Sequence, residues 1–237
     1  KPYGPREPVL PGVISVYGGY HMSLPQILSQ LSGGMVRTVG IFFLTLIFSL
    51  PLGLAISFGR MAKNPVLKNL FKIYISVMRG TPLMLQLMVF YFGPYYLFKM
   101  NIGGNWRFTA IILSFSLNYA AYFAEIYRSG IESMPVGQYE AAKLLGYSRS
   151  QTFFRIIFPQ VVKRILPSVT NEVITLVKDT SLAFAVAYME MFTIAKQIAA
   201  SKTTFVPFVV AAIFYYVFNL IVAVVMEKLE KRMDYYR

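Results

Sequence analysis

Polar, basic segments alternate along the chain with apolar stretches long enough to cross a bilayer. A spanning helix takes about 20 apolar residues, and residues 36–58, 81–98, 108–126 and 205–226 meet that requirement. Pro51, inside the first stretch, predicts a kink. Residues 165–200 are also apolar but carry Glu172, Lys178, Asp179, Glu190 and Lys196; they read as one broken span, the fifth. Residues 1–32 hold several Pro and Gly and no run long enough to span, so they read as an extracytoplasmic or interfacial tail. They lack the basic start and apolar core of a signal peptide, and the first residue is Lys, in keeping with a trimmed start.

The most informative polar segment is residues 140–159, EAAKLLGYSRSQTFFRIIFP. Ser133 and Pro135 favour a helix start, good helix formers follow, and Gly146 suits the left-handed residue that ends a helix. Ser148 and Gln151 have capping-box spacing, so a second helix should begin at once, and Pro159 is expected to end it. Two short helices carrying Lys143, Arg149 and Arg155 would form a basic knob, with the small Ala141 and Ala142 letting it enter a groove closely.

Composition supports a membrane chain: 56% of the 237 residues are hydrophobic and only 14% charged, and the mean hydropathy is +0.54. A net charge of +13 would suit nucleic acid on a soluble fold, but topology explains it better. With five spans, fifteen of the twenty-three Lys and Arg residues fall on one side, in the loops after spans one and three and after the last span. Positive charge marks the cytoplasmic side, which puts the tail outside and the hairpin and C-terminus inside. The fold expected is therefore all-α and integral to the membrane, with about five transmembrane helices and a short cytoplasmic hairpin. Residues 33–227 form the transmembrane domain, residues 130–164 its cytoplasmic loop, and residues 228–237 a basic cytoplasmic end suited to anionic lipid.

The chain has no cysteine and a single histidine, which excludes disulfides and cysteine metal sites and makes a histidine site improbable. It has no phosphate-binding GxxxxGK[ST] loop, so it is not expected to be an ATPase. Glu125, Arg128 and Glu132 are spaced three and four apart, the spacing of an ion-pair ladder on one helix face. Gly80 and Pro82 should break the helix beside Arg79. Arg79 then has two readings, an anchor at the headgroups or a cavity residue that meets an anion. Glu172 and Asp179 lie seven apart, nearly two helical turns, and so share a face. A carboxylate in a bilayer costs a few kcal/mol and normally faces a cavity or a partner. Either the two line a translocation path and meet the ammonium groups of a cationic substrate, or they serve packing.

Residues 140–159 resemble the EAA loop of the membrane-spanning subunits of bacterial ABC importers: Glu140, Ala141, Ala142, then Gly146, Ile156, Phe158 and Pro159, with Phe158 where that family usually has Leu. Further stretches look like its polar amino acid branch, the histidine, arginine and glutamine type. They are Met78 to Leu83 with Gln86, Ala124 to Ile131, Gly137 and Gln138, Asn171 and Glu172, and Lys178 to Leu182. The resemblance implies a multi-pass permease in the bacterial inner membrane. Its partners would be two ABC ATPase subunits, a second permease copy or close relative, and an extracytoplasmic solute-binding protein. It also implies that this chain binds no cofactor, ATP and Mg sitting on the ATPases, and that Glu140, Ala141, Ala142 and Gly146 couple to them. Substrate candidates are then Glu172, Asp179 and Arg79. The alternative is an ion-coupled transporter or channel that uses Glu172 and Asp179, and a third reading is a membrane scaffold that recruits an ATPase without transporting.

Overall fold

The computed structural model describes residues 22–100 and 103–233, and all regular structure among them is helical. Three helices are long and apolar enough to cross a membrane: α1 (Leu24–Arg60), α4 (Gly104–Glu132) and α9 (Val206–Arg232). Counting each of two bent pairs as one span brings the number to five: α2 (Pro65–Gly80) with α3 (Leu83–Phe98), bent by 108°, and Arg149–Val186 with α8 (Met191–Lys202), bent by 56°. Five spans with a short polar hairpin is the architecture the hydropathy pattern predicts.

The backbone departs from that pattern at several points. Helix α1 starts at Leu24, inside the stretch read as a tail, because Ser23 and Gln26 close a capping box there and Ile27 and Leu31 are buried. Pro51, where a kink is predicted, lies inside this continuous helix. Residues 65–80, read only as a basic loop, form an amphipathic helix started by Asn64, whose side chain accepts from the backbone N–H of Val66 at 2.9 Å. That helix completes the second span: the 16 residues of α3 rise only about 24 Å, short of the roughly 30 Å hydrocarbon layer.

The core is built on α1 against α4. Gly53 permits close approach, since a Cβ there would lie 2.8 Å from the Cβ of Phe123 and 3.0 Å from the carbonyl of Ala120. Ala120, Ala121 and Ala124 on α4 are buried; such small residues let membrane helices pack by backbone contact where the hydrophobic effect offers no drive. The Arg128 guanidinium hydrogen-bonds both Glu125 and Glu132, forming the ladder predicted from spacing.

Helix α7 (Phe158–Asp179) continues into a 3₁₀ segment (Thr180–Val186), where the Thr180 hydroxyl donates to the Val177 carbonyl at 2.7 Å and that of Ser181 to Lys178 at 2.8 Å. A short turn then leads to α8, capped by the fully buried Glu190. The Glu190 carboxylate accepts from the backbone N–H groups of Phe192 (2.7 Å) and Thr193 (2.6 Å), the Thr193 hydroxyl (2.8 Å) and the Tyr215 phenol on α9 (3.2 Å). A buried carboxylate this fully bonded holds the end of the second bent span against α9.

Candidate functional site

Two regions stand out, a cavity at the break between α2 and α3 and the hairpin between α4 and α7. At the break, Gly80 ends α2 and Pro82 caps α3. The freed backbone is held by side chains. Buried Gln86 donates to the carbonyls of Met78 (2.9 Å) and Thr81 (3.1 Å) and to the Thr81 hydroxyl (2.7 Å). Asn118 of α4, also buried, donates to the Met78 carbonyl at 2.9 Å and to the Gln86 side-chain carbonyl at 3.0 Å. Tyr74 adds a bond from its hydroxyl to the Leu117 carbonyl, 2.6 Å. A sharply bent backbone inside a span survives only where its polar groups find such partners.

The break opens on a cavity of about 470 Å³ that brings Arg79, Glu172 and Asp179 together on one wall system with Thr81, Tyr119 and Tyr122. Glu172 and Asp179 do share a face of α7, as their spacing predicts. The Arg79 guanidinium lies over the Tyr122 ring at 5.2 Å, a cation–π distance. Tyr119 of α4 is 2% exposed, and its phenol donates to the Asp179 carboxylate at 2.7 Å. Neither Asp179 nor Glu172 forms an ion pair with a lysine or arginine among the described residues. The cavity therefore presents one cation and two carboxylates, one of them already holding a hydrogen bond. Among the described residues no cluster of His, Asp or Glu has the arrangement of a metal site.

Sequence reading missed Asn118, Tyr119 and Tyr122, although Asn118 and Tyr119 form a polar pair in the middle of an otherwise apolar span. Nothing local says that such a pair reaches residues 32 and 60 positions away.

In the hairpin, α5 (Val136–Leu144) ends at a turn where Gly146 has φ +79°, the left-handed conformation its position predicts. Ser148 and Gln151 then form the expected capping box, 3.2 Å from the Gln151 N–H to the Ser148 hydroxyl and 2.9 Å in return. The predicted stop at Pro159 is absent. After α6 (Arg149–Gln151) the chain takes a π-helical turn (Thr152–Ile157) in which the Phe158 N–H bonds back to the Phe153 carbonyl, and it runs straight into α7. This wider turn displaces the carbonyl that a proline ring would strike, so the helix continues. The hairpin is thus one short helix folded onto the root of a long one.

Its surface exposes Lys143, Arg149 and Arg155, the cations of the predicted basic knob, and departs from that prediction at one of the two small residues. Ala142 is 2% exposed, packed inward where α5 meets the π turn, and so is not available to a groove. Glu140, Ala141 and Gly146 are exposed. Leu144 at 89% and Leu145 at 75% exposure stand outward beside Lys143 and Arg149.

Comparison with known proteins places this architecture. Residues 49–235 match the family model described as binding-protein-dependent transport system inner membrane component. The L-cystine transport system permease protein TcyB of Bacillus subtilis (strain 168) is 36% identical over 209 residues, covering 87% of each chain. The putative glutamine transport system permease protein GlnP of Rickettsia bellii (strain RML369-C) is 34% identical over 211 residues, 88% of this chain and 94% of that one. The octopine transport system permease protein OccM of Rhizobium radiobacter is 38% identical over 194 residues, 78% of this chain and 79% of that one. Among solved structures, an amino acid ABC transporter crystallised with histidines superposes with a TM-score of 0.79 at 29% identity, covering 90% of this chain and all of that one. The MetNI methionine ABC transporter in an inward facing form shares the fold, with a TM-score of 0.72 at 17% identity over 90% of this chain and 99% of that one. The chain belongs to the binding-protein-dependent transport system inner membrane component family, as a multi-pass permease of its amino acid ABC importer branch.

Proposed function

We propose that this permease moves a polar amino acid through the cavity at the α2–α3 break by alternating access, driven by separate ATPase subunits that grip the hairpin. The observation that carries this reading is the convergence of Arg79, Glu172 and Asp179 on one cavity from distant parts of the sequence. Arg79 is the partner for the substrate carboxylate and Glu172 for its ammonium group, with Asp179 held in the wall by Tyr119. Charges of both signs suit a zwitterion, and cystine, glutamine and octopine, which the relatives' names specify, share that character. A second cationic group on the substrate would find Asp179 as its counter-charge.

In this reading two permease subunits, identical or closely related, sit over two ATPases, and an extracytoplasmic binding protein delivers the substrate. The C-terminus lies in the cytoplasm, on the side where basic residues concentrate. ATP binding draws the hairpins together, and the continuous helix from the π turn through α7 carries that movement to Glu172 and Asp179. Glu140, Ala141 and Gly146 face the ATPase, while Ala142 is buried where α5 meets the π turn.

The test is ATP-driven uptake of labelled amino acids in proteoliposomes containing the permease, its ATPase and its binding protein. Glu172→Gln should lower uptake on the order of 100-fold, the equivalent of about 3 kcal/mol for a lost charge-assisted contact, with complex assembly intact. Unchanged uptake would remove Glu172 from the site and leave the importer standing. Uptake without ATPase would favour an ion-coupled carrier instead.

A further inference from the structure

A second and larger hollow lies at the foot of the bundle. Here Met134 and Pro135 in the turn after α4, the first turn of α5, the π turn, the root of α7 and Met233 beyond α9 enclose an open space of about 850 Å³, within the size range of small-molecule sites. Its charged lining is Arg155, Lys163 and Arg164, with no acidic side chain among the described residues. The Arg164 guanidinium is fixed through Nη1, which donates to the Ser133 carbonyl (2.8 Å) and hydroxyl (3.1 Å). Those bonds leave its Nε and Nη2 donors for another acceptor. Arg155 is exposed and has no ion-pair partner among the described residues. Gln138 and Gln160 exchange reciprocal amide bonds of 2.9 and 2.7 Å and so satisfy each other without offsetting any positive charge.

Depth identifies what such a site meets. Helix α9 has 27 residues and α4 has 29, so they run about 40 and 44 Å, against roughly 30 Å of hydrocarbon and 40–45 Å with the headgroups. Both helices end at this hollow, which therefore sits at headgroup level on the side where basic residues collect. It is also at the opposite end of α5 from the exposed Leu144 and Leu145, so an ATPase docked on those leucines need not cover it.

We propose that this hollow binds the phosphate of an anionic phospholipid of the cytoplasmic leaflet. Arg155 and Arg164 grip the phosphate, and the methionine, proline and isoleucine walls take the first part of an acyl chain. Charge-assisted bonds from guanidinium to phosphate are among the stronger ones available. A basic pocket at the cytoplasmic end of spanning helices matches a lipid headgroup better than it matches a soluble solute. The inference shares the proposed orientation but is independent of the substrate cavity.

The experiment titrates the permease–ATPase complex in phosphatidylcholine nanodiscs with dioctanoyl phosphatidylglycerol and reads bound lipid by native mass spectrometry. Dioctanoyl phosphatidylcholine and glycerol 1-phosphate serve as parallel probes. Phosphatidylglycerol should bind selectively, Arg155→Gln should weaken it about tenfold or more, and Arg155→Lys should restore most of the affinity. Because Arg155 is exposed, the Gln variant should keep the parent melting temperature, which separates lost binding from lost folding. Equal binding of phosphatidylcholine, or unchanged affinity in Arg155→Gln, would overturn the proposal. Glycerol 1-phosphate binding as tightly as the lipid would reassign the site to a soluble phosphate. Loss of the ATPase from Arg155→Gln with lipid binding intact would reassign the cations to the subunit interface.

Discussion

The cavity and the hairpin reverse each other's polarity. In the cavity, charged and hydroxyl groups lie within a largely apolar bundle, and several are held by another side chain: Asp179 by Tyr119, Thr81 by Gln86, Arg79 over Tyr122. On the hairpin, large apolar side chains stand outward, and Leu144 and Leu145 are left uncovered among the described residues. Buried polar groups must find partners within the fold, whereas exposed leucines mark a surface completed by another protein. One region is held by its own side chains and the other presents apolar surface outward, so mutations in the two should fail in different ways.

The largest expected effect separates these failures most sharply. Burying a leucine contributes about 1.5–3 kcal/mol, so replacing both Leu144 and Leu145 with Asp should weaken ATPase association on the order of 100-fold or more. The permease alone should keep its melting temperature, because neither side chain supports its fold. Co-purification with the ATPase and a thermal scan of the isolated permease measure the two halves of this outcome. A lowered melting temperature with association intact would mean that these leucines pack within the permease.

At the break the direction reverses. Gln86→Leu keeps the bulk of the side chain but removes the donor for the Thr81 carbonyl and the acceptor for Asn118, while Met78 keeps its bond from Asn118. Unsatisfied groups of this kind cost about 2 kcal/mol together inside a membrane protein, a drop of roughly 4–8 °C in melting temperature for a chain of this size. ATPase association should be unchanged. If the break tolerates leucine with no thermal shift, water rather than Gln86 satisfies its backbone.

These two cases also explain what was legible in the sequence. The hairpin turn depends on neighbours: Gly146 on its own φ, Ser148 on a residue three positions away, and both could be placed from spacing alone. The continuation through Pro159 could not, because it depends on a π turn whose local sequence carries no distinctive mark. The inward face of Ala142 was hidden for a related reason, since it depends on how α5 lies against that turn. In the cavity the charged residues were legible because a bilayer makes every charge conspicuous, and Glu172 and Asp179 had only to follow one helix. Tyr119, 60 residues from Asp179, was not, because its partner is set by the packing of α4 on α7. Helix α2 was overlooked because its Lys and Arg residues dominated a reading based on topology, although its apolar positions repeat on one face.

The smallest effect tests whether the hairpin's local signals matter beyond their own turn. Ser148→Ala removes the acceptor for the Gln151 N–H and leaves Gln151 without half of its capping box. Loss of such a cap costs about 1 kcal/mol, and here it falls on three helical residues that lead into the π turn. The expected loss is too small to unfold the permease, but it should fray the junction between α5 and α7. Hydrogen exchange at Gln151 and Thr152 should then rise about fivefold, the rate change that 1 kcal/mol produces when exchange follows local opening. Protection at Val173, Leu176 and Val177, buried in α7 beside the cavity, should stay at the parent level. Faster exchange at those positions as well would show the junction and the cavity opening as one cooperative unit, with the hairpin's cap stabilising both.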